Sequence, residues 1–543
     1  MTSRSRLLDF CLISVLAAIS AYIYKLSLTH RASISGDFPY YVQFAEGLSL
    51  DPSTFDPMGV WPLGYPLALR ALSGLGSWQE VGSLIGFLAL LTIGIASFFL
   101  LKTAYGSIPS FLGALVSVFN PAVVKYAVGQ SSDLPALALA FVCIGFFVYW
   151  FKRKSNILLF FAGIFAGLAY LARYSSLSVL LSLLLVLLLI HRPSRSFPAL
   201  GGTLKTSIVN GLILLAGWSI AASPQLIGSL IVHGNPLYTE NGCNIALALG
   251  WNKQISGLTW LNVKDSFPQC ASIFKIISDY PAEFIANYFR NIGESLNILR
   301  GHSAVALFTV YAGFFASRSP ALKSDEQNRF IVLTMLINAV AIVLITSLAF
   351  VSDRHLILST TFVACIGVAA VASYLSGLAG RFKSIRTSGF ALPLSLLALF
   401  FVLSEFTKSY AEQKKYRVLS SETKRNMAVK NALESFGCVY LVSSDKGVVN
   451  TVLVGDDFVD PSSIRKMGVQ EWRNQYTPFQ NLPAAKRWMQ ANGFNCIVLD
   501  EPSIGGRIPG VDYGLWKKEF DAGVLFPRRW SSKNSKTFVF AIK

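Results

Sequence analysis

An all-α polytopic membrane protein with a small α/β domain at its C-terminus is the fold class the sequence predicts, on three observations. Of 543 residues, 53% are hydrophobic and only 14% are charged, where a soluble chain carries about 25% charge. The apolar residues collect into about eleven runs of spanning length, with basic residues concentrated in alternate loops. After residue 406 those runs stop and short β-branched stretches take over.

The runs cover about 8–28, 80–101, 107–127, 134–151, 157–171, 176–190, 207–231, 302–317, 330–350, 355–377 and 388–406. Each must be a helix, because a backbone in lipid has to satisfy its own N–H and C=O groups. A barrel would instead show alternating segments of about ten residues. The runs 157–171 and 176–190 are shorter than the roughly 20 residues a span needs. The first run is longer than a signal-peptide core and lacks a small-x-small cleavage site, so it reads as a retained signal anchor.

The net charge of +18 does not point to nucleic acid, since the excess sits in short loops and no interleaved basic-aromatic groove is evident. Lys152-Arg153-Lys154 and residues 191–205, 318–329 and 381–386 form one basic side. Residues 29–79, 128–133, 172–175, 232–301 and 351–354 form the other. The positive-inside rule then puts the N-terminus in the cytoplasm and the C-terminus outside. The domains expected are a membrane domain over 1–406, with outer loops 29–79 and 232–301, and an extracytoplasmic α/β domain over 407–543.

Within loop 232–301, Phe284, Ile285, Tyr288 and Phe289 fall at helical spacing after Pro281, which predicts an amphipathic helix at the interface. Residues 234–252 are turn-rich and either cover a substrate mouth or cap the fold. In the tail, 438–443 and 496–499 read as strands and 482–491 as a helix ended by Asn492-Gly493. No Gly-rich phosphate loop opens a helix there. Seven cysteines are present. Cys11, Cys143 and Cys365 read as small hydrophobes, Cys438 and Cys496 as buried thiols, and Cys243 and Cys270 share one outer loop where a disulfide is possible. No spacing marks a metal site, and neither a metal nor another cofactor is expected.

The candidate chemistry lies on the outer side. Asp37, in Gly36-Asp37-Phe38-Pro39-Tyr40-Tyr41, stands at the mouth of the helices, with Asp56 and the rigid Trp61 to Pro66 stretch nearby. Asp133 follows Ser131-Ser132 and precedes Leu134-Pro135. That pattern is an ordinary helix N-cap with an early proline, or a second acid converging with Asp37 on one pocket. Arg173 and Tyr174 fall between two apolar runs, and Arg354 and His355 open a late one. A guanidinium there anchors at the interface, pairs with Asp353, or holds a phosphate, its favoured anionic partner. Two acids and two arginines on one face suit a reaction in which an acid activates a nucleophile while arginines stabilise a leaving lipid phosphate. Lys125, His30, His302, Glu240 and Asp265 are weaker candidates.

These motifs resemble those of the GT-C superfamily of polytopic glycosyltransferases, most of all the branch of protein O-mannosyltransferases and lipid A aminoarabinose transferases. The resemblance rests on an acid followed by tyrosine in the first outer loop (Asp37 with Tyr40 or Tyr41) and a second acid opening a later helix (Asp133). A Gly-rich helix ending at a basic residue (Gly163 to Arg173) and the pair Arg354-His355 add to it. The chain departs from many relatives in having Phe38-Pro39, not a second acid, after Asp37. It covers about residues 8–406; the tail matches only in position.

The resemblance implies an inverting transfer from a polyprenyl-phosphate sugar to a lipid, glycan or protein acceptor, on the non-cytoplasmic face of a membrane, here a bacterial inner membrane. Asp37 and Asp133 would be catalytic, and Tyr40, Tyr41, Asp56, Arg173, Tyr174, Arg354 and His355 would bind substrate. Membrane lipids are further partners. A transporter or flippase of a lipid-linked glycan is the rival reading, although charges clustered at one face count against alternating access. A non-catalytic scaffold is another.

Overall fold

The computed structural model describes residues 3–29, 37–57, 59–190, 204–251, 273–301, 326–349, 351–352 and 354–381. In the tail it describes 407–408, 428–429, 431–433, 435–438, 441–443, 482–491, 495–500, 513–531 and 537–542. The expected spans 302–317 and 388–406, together with His30, Asp265, Cys270, His302 and Asp353, lie outside these residues.

The chain opens with α1 (Ser3–Thr29), then α2 (Phe38–Gly47) and α3 (Gly64–Leu72) in the first loop. The bundle continues with α4 (Trp78–Tyr105), α5 (Ser107–Phe119), α6 (Pro121–Val128), α7 (Asp133–Arg153), α8 (Asn156–Ala172), α9 (Leu177–Ile190) and α10 (Leu204–His233). The second loop holds α11 (Asn241–Trp251), α12 (Ile273–Asp279) and α13 (Pro281–Arg300), followed by α14 (Glu326–Thr346) and α15 (Ile357–Arg381). Among the described residues, α4, α7, α10 and the Arg6–Lys25 part of α1 are long and apolar enough to cross a membrane. Helices α5 and α6 make a fifth crossing if taken together.

That pair breaks the apolar run at 107–127 into two helices. The two helices meet at 52°. Pro121 has no N–H to continue α5, and Asn120 turns the chain by capping the Ala122 N–H at 3.0 Å. Elsewhere the termini obey local rules. Helix α4 starts with a capping box, in which Glu80 Oε2 accepts from the Ser77 N–H at 2.9 Å while Ser77 Oγ accepts from the Glu80 N–H.

Ion pairing marks the pole opposite the loop that holds α2 and α3. Asp9 near the start of α1 accepts hydrogen bonds from Lys102 at the end of α4 and from Ser107 at the start of α5. Successive helices therefore run antiparallel. Their other ends, after α1, before α7, after α8 and before α15, come to one pole.

Helix α8 packs closest on α10. A Cβ on Gly163 would collide with the Leu214 carbonyl, and one on Gly217 with that of Phe160. The glycines therefore let the two backbones touch. The apolar core between α1, α4, α7, α8, α14 and α15 is built from residues such as Leu16, Phe98, Phe141, Phe147, Phe330 and Phe362.

The expected amphipathic helix exists as α13. The inward face is polar at three of its turns: Asn287 and Asn291 donate to the Ala349 carbonyl at 3.2 and 2.7 Å, and Ser295 meets Ser347. Phe284 is buried, while Ile285 and Phe289 are exposed. Buried carbonyls after α14 need donors more than carbon.

The tail forms a four-stranded sheet of β1 (Leu441–Ser443), β2 (Cys496–Asp500), β3 (Arg528–Ser531) and β4 (Thr537–Ala541) in the order β1-β2-β4-β3. Only β1 and β2 are parallel. Helices α16 (Leu482–Ala491) and α17 (Tyr513–Ala522) cover it through Met489 and Trp516. Cys438 and Cys496 form a disulfide 58 residues apart, which corrects the buried-thiol reading. Parallel pairing brings the residue leading into β1 beside the first residue of β2, within cross-linking distance at 5.8 Å between Cα atoms. Cys243 is also disulfide-bonded.

Candidate active site

Asp37 is the residue preceding α2, yet its side chain does not cap that helix. Its carboxylate accepts instead from a terminal nitrogen of Arg354, 317 residues away. Arg354 Nε donates to Asp133 Oδ2 at 2.6 Å. One guanidinium thus bridges the two acids, which settles where the two candidate carboxylates lie: at one place. Arg173, at the extended residue that ends α8, makes an ion pair with the other oxygen of Asp133. That contact lacks hydrogen-bond geometry at Oδ1 and is chiefly coulombic.

The N-cap reading of Ser131-Ser132-Asp133 holds only at Ser131, whose Oγ accepts from the Asp133 N–H at 3.2 Å. Ser132 precedes α7 but makes no side-chain cap; its hydroxyl pairs with Tyr41 OH at 2.8 Å. Asp133 is fully buried and also accepts from Ser131 Oγ. The charges compensate one another, two carboxylates against two guanidiniums, as buried charge requires. Burial opposes the charge on Arg354, but Asp133 and Asp37 outweigh it and push its pKa up.

Tyr41 is 2% exposed and edge-packed on Tyr65, with ring centroids 5.0 Å apart. Burial, with Asp37 nearby, pushes its phenol up to about 12. It is a neutral group tying α2 to the start of α7. Tyr40 stacks on Trp61 at 4.9 Å and is partly exposed, so the two rings form an aromatic step beside Asp37.

Asp56 occupies a different network. Fully buried, it accepts from the Gly59 N–H at 2.9 Å and from Ser229 Oγ at 2.5 Å, with His233 Nε2 at 3.8 Å. Sequence reasoning missed Gln225, which connects this network through Ser229 to Tyr174, the residue after Arg173. It accepts from the Leu63 N–H at 2.8 Å and donates to Tyr174 OH at 3.0 Å. A buried amide just after Pro224 within α10 was the available signal. Gly64 brings α3 against the end of α8, since a Cβ there would lie 2.7 Å from Leu171 C.

A small, partly open cleft lies beside the acid–arginine cluster. Asp133, Arg173, Ser175, Ser176, Ser178, Arg354 and His355 are its polar lining residues, and Ala136, Leu137, Ile342, Ile357 and Leu358 its apolar ones. His355 is held by Ser352, Nδ1 to Oγ at 3.1 Å. Asp37, Tyr40, Tyr41, Asp56 and Tyr174 are not among the residues lining it. The two acids do not fit a divalent-cation site in this arrangement, because each carboxylate is engaged by a guanidinium that would repel the ion. Among the described residues no group of three His, Cys, Asp or Glu side chains is placed to hold one.

The helical membrane bundle with a small sheet domain is a fold that solved structures share. Two structures of an oligosaccharyltransferase from Archaeoglobus fulgidus share it, each at 12% identity over 98% of this chain. One is tethered to an acceptor peptide containing the NVT sequon (TM-score 0.53, 74% of that chain). The other is a complex with Zn and sulfate (TM-score 0.52, 73% of that chain). ArnT from Cupriavidus metallidurans bound to undecaprenyl phosphate aligns over 98% of both chains at 12% identity, with a TM-score of 0.48, too low to establish the fold by itself. No protein-family model and no curated protein sequence matches the chain.

Proposed function

We propose that the protein is an inverting glycosyltransferase. It moves a sugar from a polyprenyl-phosphate donor to a hydroxyl or amine of a lipid, glycan or protein acceptor, on the non-cytoplasmic face. The observation that carries this reading is the mixed lining of the cleft. Its two guanidinium groups match a phosphate, and its aliphatic residues Leu137, Ile342, Ile357 and Leu358 match the first isoprenyl units of a lipid tail.

In this proposal Asp37 removes the proton from the acceptor as that atom attacks the anomeric carbon. The bond from that carbon to the phosphate oxygen breaks, and the lipid phosphate leaves with the electron pair. Arg354 and Arg173 stabilise the charge that develops on it. Asp133, held by both arginines, orients them and is a positioning residue. Direct displacement inverts the anomeric centre. The Tyr40–Trp61 step offers a ring face to the sugar or acceptor. Asp56 serves the site indirectly, by fixing the loop on which that step stands. The division into a catalytic domain over 1–406 and an accessory domain over 407–543, with an inside N-terminus, belongs to the same proposal.

Incubating the purified protein with a panel of radiolabelled polyprenyl-phosphate sugars and a membrane-lipid acceptor extract tests it. Transfer by the wild type, abolished in Asp37→Asn and strongly reduced in Asp133→Asn, is expected. Full turnover by both variants would remove the proposed chemistry. Vectorial movement of the lipid-linked sugar across a vesicle without covalent transfer would favour a flippase instead.

A further inference from the structure

The cleft contains a polar group that the proposed mechanism leaves unused. Ser178, in the first turn of α9, is 1% exposed, lines the cleft, and its hydroxyl has no hydrogen-bond partner among the described residues. Among the buried serines of the described helices, only Ser110 shares that state. Serines inside its helices generally return their hydroxyl to a carbonyl one turn back: Ser20 to Leu16, Ser117 to Gly113, and Ser182, on the same helix as Ser178, to Val179 at 2.8 Å. A buried hydroxyl without a partner is costly, and native folds keep few of them without a reason.

Its surroundings supply one. Ser175 and Ser176, in the single turn of 3₁₀ helix that leads into α9, line the same cleft, and Arg173 immediately precedes them. Three hydroxyls and a guanidinium thus come from six consecutive residues, at the N-terminal end of α9, where the helix dipole favours negative charge. The arginines are occupied by Asp37 and Asp133, so a phosphate entering here needs donors that are not already committed to a carboxylate.

Building on the transferase reading, we propose that Ser178, with Ser175 and Ser176, forms the phosphate-binding shelf of the donor site, the Ser178 hydroxyl donating to a phosphate oxygen that Arg173 also faces. The ligand chemistry is a phosphate oxygen carrying at least one negative charge, on a polyprenyl lipid or as a free ion. The carboxylates already balance the guanidiniums, so the shelf suits a singly charged phosphodiester better than a diphosphate.

The test uses the full chain in detergent micelles. Binding of a short-chain polyprenyl phosphate, of the matching polyprenol and of inorganic phosphate is measured for wild type, Ser178→Ala and Ser182→Ala. About a ten-fold loss of polyprenyl-phosphate affinity is expected for Ser178→Ala, with polyprenol binding unchanged and Ser182→Ala like wild type. Because that hydroxyl has no internal partner, the unfolding midpoint of Ser178→Ala should equal or exceed the wild-type value. A purely structural serine would lower it. Wild-type affinity within two-fold in Ser178→Ala, or an equal loss for polyprenol, overturns the shelf while leaving the transferase reading intact. Equal wild-type binding of inorganic and lipid phosphate keeps the shelf and counts against the lipid donor. Binding of neither overturns both.

Discussion

Replacing Arg354 with lysine isolates the bridge between the two acids. The guanidinium reaches Asp37 through a terminal nitrogen and Asp133 through Nε. The planar fork makes both bonds from one rotamer, whereas an ammonium is a single point on a flexible stem. Arg354→Lys therefore keeps the charge and loses one of the two charge-assisted bonds, each worth about 1.5–3 kcal/mol. If that geometry is needed while the phosphate leaves, kcat/KM falls about 10- to 150-fold at roughly 1.4 kcal/mol per decade. Stability suffers less, by about 1–2 kcal/mol, since Arg173 still neutralises Asp133. The assay is sugar transfer by Arg354→Lys, Asp37→Asn and the double variant. The double variant should lose much less than the product of the two single effects, because both changes remove the same contact. Turnover by Arg354→Lys within three-fold of wild type, or independent effects in the double variant, would refute the bridging role.

Three further outcomes follow from the same geometry. Burial raises the Asp56 carboxyl above its ordinary value, against hydrogen bonds from Ser229 and Gly59. Its contribution to stability is therefore full below the unfolded value near 3.8 and is lost as pH rises through the raised folded value. The wild-type unfolding midpoint should fall more steeply with pH across that window than that of Asp56→Asn; parallel profiles would contradict it. Gly163→Val should separate α8 from α10 and displace Arg173, lowering both the unfolding midpoint and donor affinity, whereas Gly145→Ala, facing open space, should leave both unchanged. Removing the Cys438–Cys496 disulfide by Cys438→Ser should cost about 2–4 kcal/mol, read as faster proteolysis of the tail with no early loss of the bundle.

Much of the fold was legible because lipid imposes few choices. Long apolar runs must be helices, so α4, α7, α8 and α9 fall within about four residues of the stretches read from composition. The break between α5 and α6 was legible too, in Asn120-Pro121, but a hydropathy run conceals a kink that a proline and a cap create. Strands β3 and β4 escaped because each is short, and β4 is buried at every position, so it carries no alternation to read.

The candidate site divides in the same way. The sequence by itself determined which residues were expensive to place: Asp37, Asp133, Arg173 and Arg354 stand at the ends of apolar helices, where charge needs a partner. Pattern and sidedness put them at one pole. Only the tertiary structure decided who pairs with whom, because Arg354 meets Asp37 across 317 residues through the packing of helices, not through any local rule. It also withdrew Tyr41 and Asp56 into supporting networks and brought Gln225 and Ser178 forward. Hydrogen bonding is directional and short-ranged, so its partners are set by the final positions of atoms that the one-dimensional chain leaves far apart.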